Sequence, residues 1–302
     1  MFKYQRTLND KVVFSGIGLH TGATTNMTVY PAKENSGILF KRIDIDKNFI
    51  INASVDNILE TNRGTAIGVG DSVIYTVEHF LSALSGLGID NACIEIDNIE
   101  PPIFDGSSKV FIDNILDVGI KKYTFEKKYI NIIKKLKYND SNCKMEIIPF
   151  EEFKVSYYGN YSYGNIGNQS YIYTQSDNYI KEISKARTFC SIKELKYLKN
   201  NGLIKGAGLD SGIVFLDDTM NQKDINDILL TVDLKVTSIK NNNYTLNNIP
   251  LRYKDEPIRH KILDLIGDFS LLGFGIKGHI ISYGGGHASN VELMKKIKNI
   301  YG

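Results

Sequence analysis

Hydrophobic and polar positions alternate over much of the first 120 residues, a pattern typical of short β-strands. The pattern is clearest in KVVFSGIGLHTG, TNMTVYPA and SGILFKRIDI, which are separated by Gly, Asn and Pro. Helical spacing occurs in two segments, TVEHFLSALSGLG, where Val77, Leu81 and Leu84 share a face, and KVFIDNILDVGI. We predict a helix in each, the first capped by Thr76 and ended by the glycines of SGLG.

The rest of the chain repeats this mixture of elements. We predict strands from Met145 to Tyr158 and near SGIVF, and helices around SDNYIKEISKA and IKELKYLKNNG. Strands and helices occur in both halves without regular βαβ alternation, which predicts an α+β layered architecture. The length of 302 residues favours two domains, and we place their boundary near Tyr123, giving residues 1–123 and 124–302.

The segment EPIRHKILDLIGDFSLLG predicts an amphipathic helix over residues 257–272, with Pro257 in its first turn. His260, Asp264 and Asp268 are spaced four residues apart and share the polar face. An imidazole and a carboxylate at i and i+4 supply two metal ligands from one rigid element, and a catalytic zinc needs a third ligand. The alternative is a solvated helix face without a ligand.

Composition excludes several classes of function. The net charge of +2 gives no nucleic-acid signature, and the basic run KKYTFEKKYINIIKKLKY is interpreted as solvated surface. We expect no leader, because the sequence starts with a strand-like pattern, and no membrane span, because charges interrupt every apolar run. Three cysteines without a CxxC pair suit a reducing compartment, so we expect a soluble cytoplasmic protein.

Further ligands must come from few histidines. His79 follows Glu78 in the first turn of its predicted helix, and His287 follows three glycines in SYGGGHASN. Each has a plain structural alternative: the helix dipole favours Glu78 at this position, His79 can be a satisfied core residue, and His287 can be incidental to a turn.

Seven motifs together resemble a known family: SGIGLHTG, TVEHFLSALSGLGIDN, EPPIFDGS, ISKARTFC, NGLIKGAGLDSGIV, RHKILDLIGD and GGGHASN. Their order and spacing are similar to those of UDP-3-O-acyl-N-acetylglucosamine deacetylase, the LpxC family of zinc amidases in lipid A biosynthesis. The resemblance covers almost the whole chain. It implies an α+β fold of two domains, each a layered sandwich of small β-sheets and helices, with the active site at the domain interface.

The resemblance also implies the metal chemistry. The family's zinc ligands match His79, His260 and Asp264, and its general base matches Glu78. One Zn²⁺ per chain is expected, and Fe²⁺ could occupy such a site. Zinc lowers the pKa of water and polarises an amide carbonyl, and a carboxylate beside it can take the proton.

Other matched residues complete the implied site. Thr188 corresponds to the hydroxyl that stabilises the oxyanion, His287 to the histidine that helps the leaving amine, and Asp268 to the carboxylate that orients this histidine. Lys261 matches a lysine that contacts substrate near the sugar or phosphate, and His20 resembles a substrate-contacting position.

The segment 189–214 matches the family's insertion that forms an apolar passage for the acyl chain. The lining candidates in this segment are Phe189, Ile192, Leu195, Ile204, Gly208, Leu209 and Val214. Apolar residues at these positions can also be ordinary core residues of a helix and strand.

The chain departs from the family pattern at several positions. Residues 217–250 form a longer connection, which we interpret as an extra β excursion with an Asn-rich tip at the surface. Gly284 stands where some members have a lysine, Ser289 stands where the motif usually has leucine, and Ala66 stands where some have a cysteine.

The resemblance implies hydrolysis of the N-acetyl group of UDP-3-O-acyl-GlcNAc, a small-molecule substrate. We expect the protein to be a monomer. One alternative is a zinc amidase acting on a different N-acyl substrate, and another is a non-catalytic relative that binds a UDP-sugar or lipid. A third is a likeness of fold alone, with a purely structural His/Asp helix.

Overall fold

The computed structural model describes residues 2–46, 49–164, 166–208, 210–217, 219–232 and 244–302. The α-helices in these ranges are α1 (Glu78–Gly86), α2 (Lys109–Val118), α3 (Tyr179–Glu182), α4 (Ile192–Asn200), α5 (Gln222–Thr231), α6 (Glu256–Ser270) and α7 (His287–Tyr301). Short 3₁₀ turns cover Val55–Asn57 and Leu246–Asn248.

The first ten strands lie between residues 4 and 126. They are β1 (Tyr4–Leu8), β2 (Val12–Ile17), β3 (Thr24–Pro31), β4 (Ile38–Arg42), β5 (Ile50–Asn52), β6 (Ile58–Glu60), β7 (Ala66–Val69), β8 (Ser72–Ile74), β9 (Ala92–Ile96) and β10 (Ile120–Glu126). Eight further strands follow, namely β11 (Tyr129–Asn131), β12 (Leu136–Asn139), β13 (Lys144–Ile148), β14 (Phe153–Tyr161), β15 (Gly167–Thr174), β16 (Phe189–Ser191), β17 (Ile213–Phe215) and β18 (Gly275–Tyr283).

Two larger sheets organise these strands. One has five strands in the order β2-β3-β9-β4-β5, and the other has the order β12-β13-β18-β14-β15 with β11 also paired to β18. Smaller sheets join β1 to β10, β16 to β17, and β6 to β7 and β8. Strands before residue 97 build one large sheet and strands after residue 128 build the other, which confirms the predicted α+β fold.

Several predicted elements differ in detail from the structure. Thr76 does not cap α1: the N-cap is Val77, without a side-chain cap hydrogen bond. Thr76 has a φ of 53°, and its hydroxyl donates instead to the buried Glu100 carboxylate at 2.8 Å. Helix α6 begins at Glu256, one residue before the prediction, and ends at Ser270.

The connection over residues 217–250, predicted as an extra β excursion, contains a helix in its first part. This helix is α5, and a capping box formed by Asn221 and Asp224 stabilises its first turn. Capping boxes satisfy the free amides of a first helical turn, so polar residues here favour a helix. Residues 233–243 of the predicted excursion, including the start of its Asn-rich tip, lie outside the described residues.

Helices α1 and α6 pack closely and bring both halves of the chain together. A Cβ added to Gly267 of α6 would lie 2.1 Å from the Glu78 carbonyl oxygen of α1, so only glycine permits this approach. The Ser82 hydroxyl of α1 donates to the Leu263 carbonyl of α6 at 2.7 Å. The polar face of α6 is therefore directed at α1, and both helices are largely buried.

A buried ion pair fixes the first turn of α6. Glu256 is 0% exposed and accepts from Arg187 Nε at 2.8 Å and Arg187 Nη2 at 3.1 Å. The backbone amides of Arg187 and Arg252 donate to the same carboxylate at 3.0 and 2.7 Å. This network ties the segment that precedes Thr188 to the helix of the predicted metal ligands.

Among the described helices, none combines the length and apolar character needed to cross a bilayer.

We expect Glu256→Ala to destabilise the fold strongly. The substitution leaves the buried Arg187 guanidinium without its carboxylate, a change that typically costs about 3–5 kcal/mol. Denaturant unfolding measures the loss. The control is Glu292→Ala, which removes an exposed ion pair to Lys295 and should change stability by less than about 1 kcal/mol. Equal effects of the two substitutions would contradict a structural role for the buried pair.

Candidate metal centre and its cavity

Three buried side chains converge where α1 meets α6. His79 from α1 and His260 and Asp264 from α6 place one potential ligand atom each within 4.8 Å of one another. Asp264 Oδ1 lies 3.5 Å from His79 Nε2 and 3.2 Å from His260 Nε2. His260 and Asp264 are one helical turn apart, as predicted, and 1% and 4% exposed. The alternative of a solvated helix face is therefore wrong.

These atoms fit a tetrahedral metal ion. Ligands at about 2.0–2.1 Å from zinc lie about 3.3 Å apart in tetrahedral geometry, close to the two spacings observed. Asp264 Oδ1 is buried and has no hydrogen-bond partner among the described residues, and an unpaired buried carboxylate oxygen is costly. His260 Nδ1 lies 3.1 Å from the Ala186 carbonyl, which accepts its proton and leaves Nε2 free to bind.

The charges of the group also favour a cation. Burial lowers the pKa of His260 to about 3, so the imidazole is neutral, as a metal ligand must be. Burial opposes charge on His79 as well, but Asp264 and Glu78 outweigh it and raise the pKa of His79. Three carboxylates meet here, with Glu78, Asp264 and Asp268 exposed by 2%, 4% and 0%. Buried negative charge at this density requires positive charge nearby.

Glu78 lies beside the three potential ligands without belonging to them. Its Oε2 accepts from the Thr65 amide at 2.9 Å, and its Oε1 lies 3.9 Å from His287 Nε2. Burial raises the pKa of Glu78, against the opposing effect of His287 and His79. A carboxylate with a raised pKa that faces a reactive position is suited to accept a proton.

His287 and Asp268 form the predicted pair. His287 Nδ1 lies 2.9 Å from Asp268 Oδ2, which also accepts from Asn290 Nδ2 at 2.7 Å. Burial disfavours the imidazolium, but Asp268 and then Glu78 and Asp264 outweigh it and raise the pKa of His287 to about 9. His287 is thus charged at neutral pH and can donate a proton from Nε2.

A cavity of about 300 Å³ opens onto this group. Besides the three ligands, Glu78 and His287, it is lined by Thr188 and Lys261. Lys261 Nζ donates to Asp264 Oδ2 at 3.1 Å and lies 5.6 Å from the centre of the Phe189 ring. Asp264 raises the pKa of Lys261 against the opposing effect of burial. The apolar part of the wall contains Phe189, Leu195, Ile204, Gly208 and Val214 from the predicted insertion.

Two predicted passage residues are not found on this wall. Ile192 is 0% exposed and packs in a small core with Leu195, Leu216 and Ile225, so it is not a lining residue. It is the first residue of α4, where the helix turns this position inward. Leu209 lies outside the described residues.

The loop with His20 joins the insertion to the first half of the chain. His20 lines the cavity, and its Nδ1 accepts from the Ile204 amide at 3.4 Å. The buried Glu100 carboxylate holds this loop through the amides of His20 and Thr21 at 3.1 and 2.9 Å. A Cβ on Gly206 would lie 2.1 Å from the Gly18 carbonyl oxygen, so the two loops touch through their backbones.

Sequence reasoning missed the residues that support this site. Thr65, Asn290 and Glu100 were not predicted, although each hydrogen-bonds a residue of the site or its loop. Polar residues such as these have no spacing or charge signature along the chain. Only their burial, with Thr65 at 0%, Asn290 at 3% and Glu100 at 1% exposure, singles them out.

At Gly284, where some members of the family have a lysine, the backbone conformation itself favours glycine. Its φ of 69° is left-handed, which glycine adopts readily and other L-residues rarely do. The Asn142 carbonyl lies only 3.3 Å from the position of an added Cβ. The turn before His287 is therefore built for glycine in this chain, and no cation extends from it.

Comparisons with known proteins agree with this arrangement. A family profile described as LpxC, UDP-3-O-acyl N-acetylglycosamine deacetylase, matches residues 5–229 and 225–299. The Chlamydia caviae protein named UDP-3-O-acyl-N-acetylglucosamine deacetylase is 38% identical over 299 residues, which are 98% of this chain and 97% of the relative. A Geobacter protein of the same name is 35% identical over 97% of this chain and 88% of its own length.

The chain also matches part of larger proteins. The bifunctional enzyme LpxC/FabZ of Chlorobaculum tepidum is 37% identical over 99% of this chain, which spans 65% of that relative. The corresponding protein of Porphyromonas gingivalis is spanned to 64% of its length. Because the profile covers most of the chain and several relatives align over nearly its whole length, the chain belongs to the LpxC family of UDP-3-O-acyl N-acetylglycosamine deacetylases.

Proposed function

We propose that this chain is a zinc-dependent deacetylase that hydrolyses the N-acetyl group of UDP-3-O-acyl-N-acetylglucosamine, releases acetate and acts in lipid A biosynthesis. The observation that carries the proposal is the buried group of His79, His260 and Asp264, with Glu78 and His287 beside it on one cavity. A histidine–histidine–aspartate set leaves room for substrate and is typical of a hydrolytic zinc site. We infer the substrate class from the names of the relatives, which are called UDP-3-O-acyl-N-acetylglucosamine deacetylases.

The ligand set would hold one Zn²⁺, and Fe²⁺ is compatible with the same donors. Such an ion supplies Lewis acidity, which polarises an amide carbonyl and lowers the pKa of water. Glu78 is the proposed general base, and its Oε1 takes a proton from the attacking water. Burial raises the pKa of Glu78, which favours its acceptance of that proton.

His287 is the proposed acid. Its Nε2 lies 3.9 Å from Glu78 Oε1 and 3.9 Å from Asp264 Oδ2, so the proton that it carries lies close to the ligand group. The pKa of about 9 keeps this nitrogen protonated at neutral pH, ready for the departing glucosamine nitrogen. Asp268 acts through His287, because it is fully buried and accepts from the ring at Nδ1.

Thr188 and Lys261 are proposed to bind the substrate. Thr188 lines the cavity, and we propose that its hydroxyl donates to the oxygen that gains charge as the amide is attacked. The Thr188 backbone is held by its amide, which donates to Gly106 at 2.7 Å. Lys261 presents a cation at the same wall, where sugar or phosphate oxygens can accept from it.

The apolar wall supports an acyl passage along the insertion. Phe189, Leu195, Ile204 and Val214 line the same cavity as the proposed metal ligands. We propose that they bind the ester-linked acyl chain while the N-acetyl group faces Glu78. Leu209 is kept as a candidate from the sequence.

A zinc amidase with a different N-acyl substrate is the second candidate. It is favoured by Gly284, where the turn before His287 carries no cation for a diphosphate. The ligand group and base would serve either substrate equally.

We further propose that the protein is a cytoplasmic monomer. It would consist of two domains with a boundary near Tyr123 and with the site between them.

Alanine substitution should show which residues hold the metal. We expect His260→Ala and Asp264→Ala each to lower metal content below one ion per chain and to remove most activity, because each leaves only two ligands. Metal analysis of purified protein measures the loss. His279→Ala is the matched control, since this histidine lies on β18, hydrogen-bonds Ser156 of β14 and should leave metal content unchanged. Full metal retention in both variants would refute the ligand set.

Glu78→Gln should separate base catalysis from metal binding. The amide cannot take a proton, so we expect turnover to fall by about 10² to 10⁴ fold. Metal content should stay at the wild-type level, because Glu78 is not one of the ligands. Steady-state kinetics on UDP-3-O-acyl-GlcNAc with parallel metal analysis tests both. A variant that turns over as fast as wild type would exclude Glu78 as the base.

A ladder of acyl lengths tests the passage. Affinity should rise by about 0.8 kcal/mol for each methylene buried, roughly fourfold per carbon, until the passage is full. Gly208→Leu should shorten the preferred chain: its backbone is not left-handed and an added Cβ has only contacts of 3.7 Å or more, so the side chain can extend into the cavity. The specificity constant, kcat/KM, is measured for each length.

Ile192→Val provides the control for this ladder. It removes a methyl group from the small core that packs behind the wall, so it should lower stability by about 0.5–1.5 kcal/mol without moving the preferred length. Equal kcat/KM for short and long chains in the wild type would remove the acyl passage and favour the second candidate.

A further inference from the structure

Thr65 touches both halves of the proton-transfer machinery. It immediately precedes β7, is 0% exposed, and its amide donates to Glu78 Oε2 at 2.9 Å. Its hydroxyl donates to Asp268 Oδ1 at 2.6 Å. The residue thus holds the carboxylate of the base with its backbone and the carboxylate behind His287 with its side chain.

The direction of the hydroxyl proton follows from its partners. An ionised carboxylate only accepts, so the single proton of Thr65 Oγ1 points to Asp268. The oxygen keeps its lone pairs for its other neighbour, His287 Nδ1, at 3.3 Å. Thr65 can therefore only accept from this ring nitrogen.

Two acceptors consequently surround His287 Nδ1. Asp268 Oδ2 lies at 2.9 Å and Thr65 Oγ1 at 3.3 Å, and neither offers a proton to the ring. The proton of His287 Nδ1 is thereby held in place, and Nε2 becomes the nitrogen that gains and loses a proton. Nε2 is the ring atom that faces Glu78 and Asp264.

The Asp268 carboxylate is also clamped at both oxygens. Thr65 binds Oδ1, while Asn290 Nδ2 donates to Oδ2 at 2.7 Å. Without the hydroxyl, Oδ1 would be buried and unpaired, and the carboxylate could rotate to find another donor. Rotation would withdraw Oδ2 from His287.

We propose that Thr65 is a positioning residue that fixes the tautomer and orientation of His287 relative to Glu78. The proposal rests on the deacetylase function proposed above, in which these two residues move the protons. Thr65 is not among the residues that line the cavity, and its hydrogen bonds at the site go to Glu78, Asp268 and His287.

Substitution of the hydroxyl tests this role. Thr65→Val keeps the shape but not the donor, and we expect kcat to fall by about 10- to 100-fold, the usual effect of removing a supporting hydrogen bond. KM for the acylated substrate should change by less than about threefold, and metal content should stay at one ion per chain. Thr65→Ser restores the hydroxyl and should return most of kcat. Thr65→Ala is the substitute if the valine variant does not fold.

Thr25→Val is the matched control. Thr25 is also 0% exposed, but its hydroxyl has no partner among the described residues and it lies on β3, outside the cavity lining. We expect wild-type kcat from this variant. Equal losses in Thr25→Val and Thr65→Val, or failure of Thr65→Ser to recover, would overturn the proposal.

A spectroscopic measurement separates this inference from the function. With ¹⁵N-labelled histidine in the metal-loaded protein, two-bond proton–nitrogen spectra recorded above the His287 pKa of about 9, where its ring is neutral, show which ring nitrogen keeps the proton. We expect Nδ1 to be protonated in the wild type and Thr65→Ser, and a mixture of tautomers in Thr65→Val. An unchanged spectrum in Thr65→Val would refute the role of Thr65 even if the enzyme is active. An inactive wild type with the expected spectral change would refute the deacetylase function alone.

Discussion

The close approach of α1 and α6 is the constraint on which the site depends. Gly267 has no side chain, so the Glu78 backbone can lie against α6, and this places His79 opposite His260 and Asp264. Any larger residue would separate the helices by more than the few tenths of an ångström that metal ligand distances tolerate. The geometry of the ligands is thus a packing property of two helices from distant parts of the chain.

The second constraint is buried charge. Carboxylates at Glu78, Asp264 and Asp268 share a region from which solvent is largely excluded, and each is balanced differently. Asp268 has hydrogen-bond donors on both oxygens, Glu78 accepts from a backbone amide, and Asp264 keeps one oxygen free. These differences in partners support the separate roles that we propose for three chemically similar groups: Asp268 orients His287, Glu78 takes a proton, and Asp264 binds a cation.

The walls of the cavity are held in place by polar contacts between residues that take no part in the proposed reaction. Glu100 organises the loop of His20, and this loop touches the insertion near Gly206. The ion pair of Arg187 and Glu256 connects the start of the insertion to α6. The position of the apolar wall is consequently coupled to the ligand helix through buried groups that a substrate does not reach.

The sequence by itself determined the α+β class, the helix with His260 and Asp264 one turn apart, and, through its motifs, the residues assigned to the site. These features are local, since helical periodicity, ligand spacing and motifs can each be recognised within a short segment of the sequence. Only the tertiary structure decided that Thr65 joins Glu78 to Asp268, that Ile192 packs in a core and not along the cavity, and that Gly284 needs a left-handed backbone. Such contacts depend on which residues meet across distant segments and on which polar groups lose access to water, and neither leaves a pattern along the chain.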